Sequence, residues 1–364
     1  MSIKIEVLLL AKKVGLEETF TKATETISSF AKRMKSFSKE WKDVATVITG
    51  VQSAMHIADR AFHAVIGPLV AASKASLAFS RSIAEVQTIM GSSSVSMKIM
   101  RDQVLETSKA FGQAPTTEAK ALYQAISSGA KAGAEAQNVL HAANLLAVGG
   151  LTDVFTTTDA LTTVLASFGL NMEQYAIPVA DMFFETVRLG KTDVQQLSQF
   201  IGQTAATAST AGISMEEMFG VLAAGSIAIG DVRKTTTFLA QAISNIVDPS
   251  SEAQKEALRL GIAFDYQSLK AKGLVNILKE MSSSSRFTAD SISKLFGAVE
   301  ARKLIAALIA DDLQRANEYT SQIGKAAGAA TQATNIMQRE GSEQLRRLDS
   351  DWETIKISLG DFIT

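Results

Sequence analysis

His56, Asp59 and His63 come nearest in this chain to a metal-binding pattern, because steps of three and four residues bring side chains to one side of a helix. A metal could be gripped by His56 with Asp59, or by Asp59 with His63. The two histidines would lie about 10 Å apart along the axis, however, and zinc asks for three or four converging ligands at about 2 Å. They read as helix-surface residues, and His141, in an apolar helical stretch, reads as a hydrogen-bonded, partly buried side chain. The carboxylate pairs Glu216-Glu217 and Asp311-Asp312 have the residue types that sugar hydrolysis needs. Yet Ser214-Met-Glu-Glu217 fits a capping box, which gives Glu217 a structural task. Asp311-Asp312 follows an alanine-rich helix and reads as solvated. No phosphate-binding glycine loop, no H-E-x-x-H and no G-x-S-x-G elbow is present. Cysteine is absent from all 364 residues, which removes disulfides, thiolate metal ligands and thiol nucleophiles together. No catalytic, cofactor-binding or metal residue is therefore assigned, no cofactor is expected, and the chain reads as a non-enzyme.

A composition of 46% hydrophobic and 20% charged residues describes a folded chain, and four prolines leave helices free to run. A net charge of -1 supplies no bulk attraction to nucleic acid, and no sequence-specific nucleic-acid binding is expected. From Leu16 to Met90, apolar residues recur at alternating steps of three and four. The series is Leu16, Phe20, Ala23, Ile27, Phe30, Met34, Phe37, Trp41, Val44, Ile48, Val51, Met55, Ala58, Phe62, Val65, Leu69, Ala72, Ser76, Phe79, Ile83, Val86 and Met90, with Ser76 as its one polar member. This is the spacing of a coiled-coil seam. Alanine and valine beside it (Ala31, Ala45, Val47, Ala54, Ala61) widen the stripe. A wide stripe suits three or more strands, or burial against the chain's own bundle. A shorter series, Leu345, Leu348, Trp352, Ile355, Leu359 and Phe362, repeats the pattern near the end. Gly67-Pro68 predicts a kink or break, since proline lacks the amide proton. Ile3–Val7 alternates in the manner of a short strand. The candidate oligomerisation seam is the large-residue part of both series, Leu16 to Val65 and Leu345 to Leu359. Lys32, Arg33, Lys35, Lys39 and Lys42 read as a solvated face.

Between the two series the texture changes. Glycines at 112, 129, 149–150, 169, 190 and 212 close helical patterns about twenty residues apart. Helix starts are predicted at Thr192, Ser214 and Ser251 as capping boxes, and at Asn171 and Asp231 as simple caps. A helix over 172–189 is expected to bend at Pro178. Gly220, Gly225 and Gly230 allow either close helix approach or a loose, rearrangeable helix. The resulting expectation is an all-α chain in three parts: a short strand and a long heptad-patterned helix over 1–90, a multi-helix bundle over 91–300, and a helical segment over 301–364. No signal peptide is expected from Met1-Ser2-Ile3-Lys4. No apolar run reaches the roughly 20 residues of a membrane span, the nearest being 61–73. Insertion of the N-terminal helix into a membrane after rearrangement is the alternative function kept open.

The ordered text Ala84-Glu-Val-Gln-Thr-Ile-Met90, Phe111-Gly112, Ala121-Leu-Tyr-Gln-Ala-Ile-Ser-Ser-Gly129, Leu146-Ala-Val-Gly-Gly150, Asp159-Ala-Leu-Thr-Thr-Val-Leu165 and Phe168-Gly-Leu170 resembles a known family. It continues through Thr186-Val-Arg-Leu-Gly-Lys-Thr192, Ala211-Gly-Ile-Ser-Met-Glu216, Asp248-Pro-Ser250, Leu260-Gly-Ile262 and Trp352-Glu-Thr-Ile-Lys-Ile-Ser-Leu-Gly-Asp361. The chain resembles the N-terminal conserved region of phage tail tape measure proteins. The resemblance implies a structural virion component of a phage or prophage tail. Such a protein lies in the lumen of the tail tube, sets tail length during assembly and leaves ahead of the DNA at ejection. It implies a homo-oligomer, with a trimer favoured. It also implies the tail tube protein, tail assembly chaperones and distal tail or baseplate hub proteins as partners, and contact with the host membrane during ejection. Its locations would be the virion tail lumen and, during assembly, the host cytoplasm. Members commonly run well beyond this region.

Overall fold

Among the described residues, Asp, Asn or Ser side chains cap the starts of seven helices, and glycine stands at the C-cap of eight. The computed structural model of the protein describes residues 58–90 and 96–363, and the side chains of 71–90 and 96–361. The expected strand at 3–7 and the seam residues from Leu16 to Met55 lie outside the described residues. Within them are seventeen helices and no strand. In chain order the first nine are α1 (Ala58–Ile89), α2 (Met97–Phe111), α3 (Pro115–Ser127), α4 (Ala134–Gly149), α5 (Val154–Ser167), α6 (Met172–Leu189), α7 (Val194–Ala211), α8 (Met215–Ile229) and α9 (Val232–Val247). There follow α10 (Ser251–Leu260), α11 (Tyr266–Lys272), α12 (Leu274–Ser283), α13 (Ala289–Leu295), α14 (Val299–Ala310), α15 (Gln314–Ile323), α16 (Ala329–Met337) and α17 (Gly341–Ile363). The all-α expectation holds.

The chain divides into two units, residues 1–120 with 341–364, and residues 121–340, the first cut falling within α3. This division follows contact, whereas the three-part expectation followed sequence texture. In the first unit, α1 passes through Gly67 and Pro68 as one helix, so the expected break is absent there. At 1.5 Å per residue its 32 residues reach about 48 Å.

In the second unit the local chemistry follows the expectations closely. Asn171 and Asp231 accept from the amides of Gln174 and Lys234, each satisfying one of the unpaired donors of a first turn. Two starts sit one residue from the expected place. Asp193, not Thr192, caps α7, and Ser250, not Ser251, caps α10, because those side chains reach the N3 amides of their helices. Proline at position 178 leaves α6 continuous. Gly212 takes φ +77°, a left-handed C-cap that a residue with a Cβ reaches only with strain.

The core of this unit is built around α8, in which every residue from Met218 to Ser226 is buried. Of the two roles open to Gly220 and Gly225, the structure shows close approach. A Cβ at Gly220 would stand 2.6 Å from the Thr320 amide nitrogen of α15. One at Gly225 would stand 2.7 Å from Leu304 of α14 and from Thr235 of α9. Phe219 meets Phe183 of α6 edge-on, with ring centres 5.1 Å apart, a geometry that places a positive ring edge on a negative face. Two helix starts here are capped from afar. Asp181 of α6, itself buried, accepts from the amides of Gly328 and Ala330 at 2.8 and 2.9 Å and closes the start of α16. Glu217 of α8 accepts from the Val275 amide at 2.7 Å and closes the start of α12.

Candidate self-association surface

The expected seam has a described portion in the first unit, on α1 and α17. On α1, Ala72, Ser76, Phe79, Ile83 and Val86 are all buried, while Leu77 is 58% exposed. These buried residues are members of the three-and-four series, so its period faces inward here. Of the two destinations that a wide stripe allows, burial within the same chain applies to this stretch. The cover comes from α17, the helix most extensively packed on α1, and from α2.

The covering helix is held by polar groups. Asp361 of α17 accepts from the Ser76 hydroxyl of α1 and pairs with the Arg101 guanidinium of α2. That guanidinium also lies 4.8 Å from the centre of the Phe79 ring, where a cation is attracted to the ring face. Farther along, the Ser350 hydroxyl, with one proton to donate, lies 3.0 and 2.8 Å from the Ser108 and Gln113 carbonyls, and the Ser108 and Ser350 oxygens are 2.8 Å apart. Arg346 donates to the Phe111 carbonyl at 3.3 Å and pairs with Glu343 at 2.7 Å. The order of these contacts, 361 on 101, 350 on 108 and 346 on 111, runs α17 antiparallel to α2. Gly360 permits the closest approach. A Cβ there would collide with the Ala72 carbonyl and come within 2.6 Å of the Ser76 Cβ.

The C-terminal candidates fall on different sides of α17. Leu348 is buried, at 8% exposure, but Leu345 is 44% exposed, and Trp352, Ile355 and Leu359 are half-buried. The buried face carries Ser350, Asp351, Thr354, Ile357 and Gly360 alongside Leu348, so it is mostly small or polar. Phe62 and Val65 sit on α1 in the stretch without described side chains. The residues that sequence reasoning missed are the polar fasteners Arg101, Ser108, Ser350 and Asp361. The one signal pointing to them was Ser76, the polar member of an otherwise apolar series.

The carboxylates considered for chemistry have structural tasks. Burial pushes the Glu217 carboxyl above its ordinary value, against the opposing effect of the Val275 and Leu274 amides that it caps. Ser214 does accept from the Glu217 amide, as expected, but the Glu217 side chain reaches α12 and does not fold back on its own helix start. Asp311 ends α14 and pairs with Arg315 at 3.2 Å. His141 lies toward the solvent side of α4, and partial burial holds its imidazole below its ordinary pKa, in keeping with the partly buried expectation. Among the described residues no group of three or more His, Cys, Asp or Glu side chains is placed to hold a metal ion, and no helix is long and apolar enough to cross a membrane.

Comparison with known proteins places this architecture. Residues 101–297 match the model of the phage-related minor tail protein family. The chain is 26% identical to the probable tape measure protein of Clostridium phage phiCD119 over 284 residues, 75% of this chain and 30% of that protein. It is 24% identical to the tape measure protein of Pneumococcus phage Dp-1 over 369 aligned positions, 96% of this chain and 30% of that protein. The chain thus spans under a third of the length of either relative. No solved structure matches. The family resemblance carried by the motifs between Ala84 and Asp361 is borne out.

Proposed function

Because this chain belongs to the phage-related minor tail protein family, we propose that it is a structural component of a phage tail that serves as part of the tape. In this reading it lies in the lumen of the tail tube, contributes to setting tail length during assembly, and is released as the genome leaves. The similarity to two tape measure proteins along three quarters or more of the chain carries the reading. Its physical logic is that a tape must be long, able to associate with copies of itself, and free of bond-making chemistry. Helices supply length at about 1.5 Å per residue with every interior backbone hydrogen bond satisfied. The three-and-four series from Leu16 supplies an edge for association with further copies, in a trimer. The tail tube protein, the assembly chaperones and the distal tail or hub proteins are its proposed partners, and the host cytoplasm is where it assembles.

Protease treatment of purified tails tests the lumen. The chain is expected to survive in intact tails and to be lost or cleaved once ejection is triggered. Cleavage in intact tails at the rate of the free protein would overturn the reading.

A further inference from the structure

We propose that α15 and α16 form a strap that opens as one piece from α8 and α6, hinged at the turn between α14 and α15. Burial sets this segment apart from the rest of its unit. In α15 only Ala316 and Ile323 are buried, and in α16 only Ala330 and Thr334. In the neighbouring α8, by contrast, every residue from Met218 to Ser226 is buried. Hydrophobic stabilisation scales with the apolar area removed from water, and alanine offers little of it. Ile323 is thus the one large apolar side chain that the two helices bury. The remaining hold is polar or backbone contact. Asp181 of α6 caps the start of α16, the Thr334 hydroxyl donates to the Leu145 carbonyl at 2.7 Å, and Arg188 donates to the Gln322 side chain at 3.3 Å. The Thr320 backbone rests against Gly220. Water replaces much of what such polar ties supply. A segment with few buried apolar side chains opens at a lower free energy than the core around it.

The hinge carries strain of its own. Asp312 and Leu313 stand at φ +50° and +59°, two successive left-handed residues that both have a Cβ. Such backbone is costly and persists where surrounding contacts enforce it. The enforcing contact here is α15 seated on α8. Leu313 is itself 1% exposed, which anchors the pivot. The link between the two helices is tied turn by turn. The amides of Gly324, Lys325 and Ala326 donate to the carbonyls of Thr320, Gln322 and Ile323, and the Ala329 amide donates to Ala326. Lifting either helix therefore pulls on the other. Opening uncovers the Gly220 side of α8, frees the Asp181 carboxylate and lets residues 312 and 313 return to ordinary backbone. Closed and open forms make one equilibrium, with Ile323 and the polar ties on the closed side and the strained turn on the open side.

Hydrogen exchange of the full chain, followed by mass spectrometry on peptides of α8, α15 and α16, tests the strap. The amides of α15 and α16 are expected to exchange at a common rate, roughly tenfold or more above that of α8. Asp181→Ala removes the acceptor from the start of α16, where both hydrogen bonds of that carboxylate go. It is expected to speed exchange about tenfold in α15 and α16 alike, because the loss of a buried acceptor is felt by the whole piece that opens. Asp312→Gly relieves the left-handed turn and is expected to slow both helices about threefold. Circular dichroism checks that each variant keeps the helix content of the parent. Should Asp181→Ala fail to fold, the parent rates and Asp312→Gly decide the matter. Protection of α15 and α16 equal to that of α8 would overturn the proposal. So would faster exchange in α16 alone after Asp181→Ala, or unchanged rates after Asp312→Gly.

Discussion

Glu217 shows how one side chain in this protein can look catalytic and be structural. It sits in a carboxylate pair, is half-buried, and has its carboxyl pushed up by burial. Its oxygens, however, are committed to the start of α12 through the Val275 amide. Truncation in Glu217→Ala leaves those amides without an acceptor and is expected to cost about 1–3 kcal/mol, the usual penalty for orphaned buried donors. Glu217→Gln keeps an acceptor and removes the buried charge. The sign of the pH effect follows from the raised folded value. The favourable contribution of Glu217 is complete below the ordinary carboxyl range and is lost as pH rises through the folded pKa. The gain of Glu217→Gln over the parent should therefore grow from acid toward neutral pH in urea titrations. A gain that shrinks over that interval would contradict the assignment. Glu256 behaves in the opposite way: Arg259, donating to it at 2.8 Å, holds its carboxyl at about 2, so its contribution fades only as pH falls below the usual range.

At the scale of elements, α8 decides whether the second unit packs. Its glycines are there because neighbouring backbone and side chains occupy the place where a Cβ would be. Gly220→Ala must push the Thr320 backbone of α15, and overpacking of this kind costs about 1–3 kcal/mol, beyond the gain of up to about 1 kcal/mol from better helix propensity. Gly297, exposed in the loop between α13 and α14 with nothing within 4 Å and no left-handed φ, is the open-space control, and Gly297→Ala should leave the urea midpoint nearly unmoved. Equal effects of the two substitutions would mean that α8 is not tightly enclosed. Much of this level was legible beforehand. Asn171 and Asp231 announce their helices because a cap is a contact over three residues, and period and punctuation are local properties. The caps supplied by Asp181 and Glu217 were not legible, since their acceptors lie 147 and 58 residues from the amides they serve. The candidate surface divides in the same way. The stripe of α1 could be read from its spacing, but its cover could not, because α17 turns inward a face that its apolar periodicity does not mark.

For the whole molecule, length is the property that separates a tape from any other helical tail component. Residues 121–340 fold back on themselves through short helices and glycine-closed turns, so that unit adds little reach for its share of the chain. Reach must come from the heptad-patterned stretches, and the proposal ties tail length to them residue by residue. The direct measurement is the length of tails, by electron microscopy, from phage carrying this chain with residues 27–54 removed in frame or duplicated. That change is four whole heptads of the sequence pattern, which preserves the register of the seam. Tails are expected to be shorter by about 42 Å after removal and longer by the same amount after duplication, at about 1.5 Å per residue. Tails of parental length that contain the altered chain would contradict it.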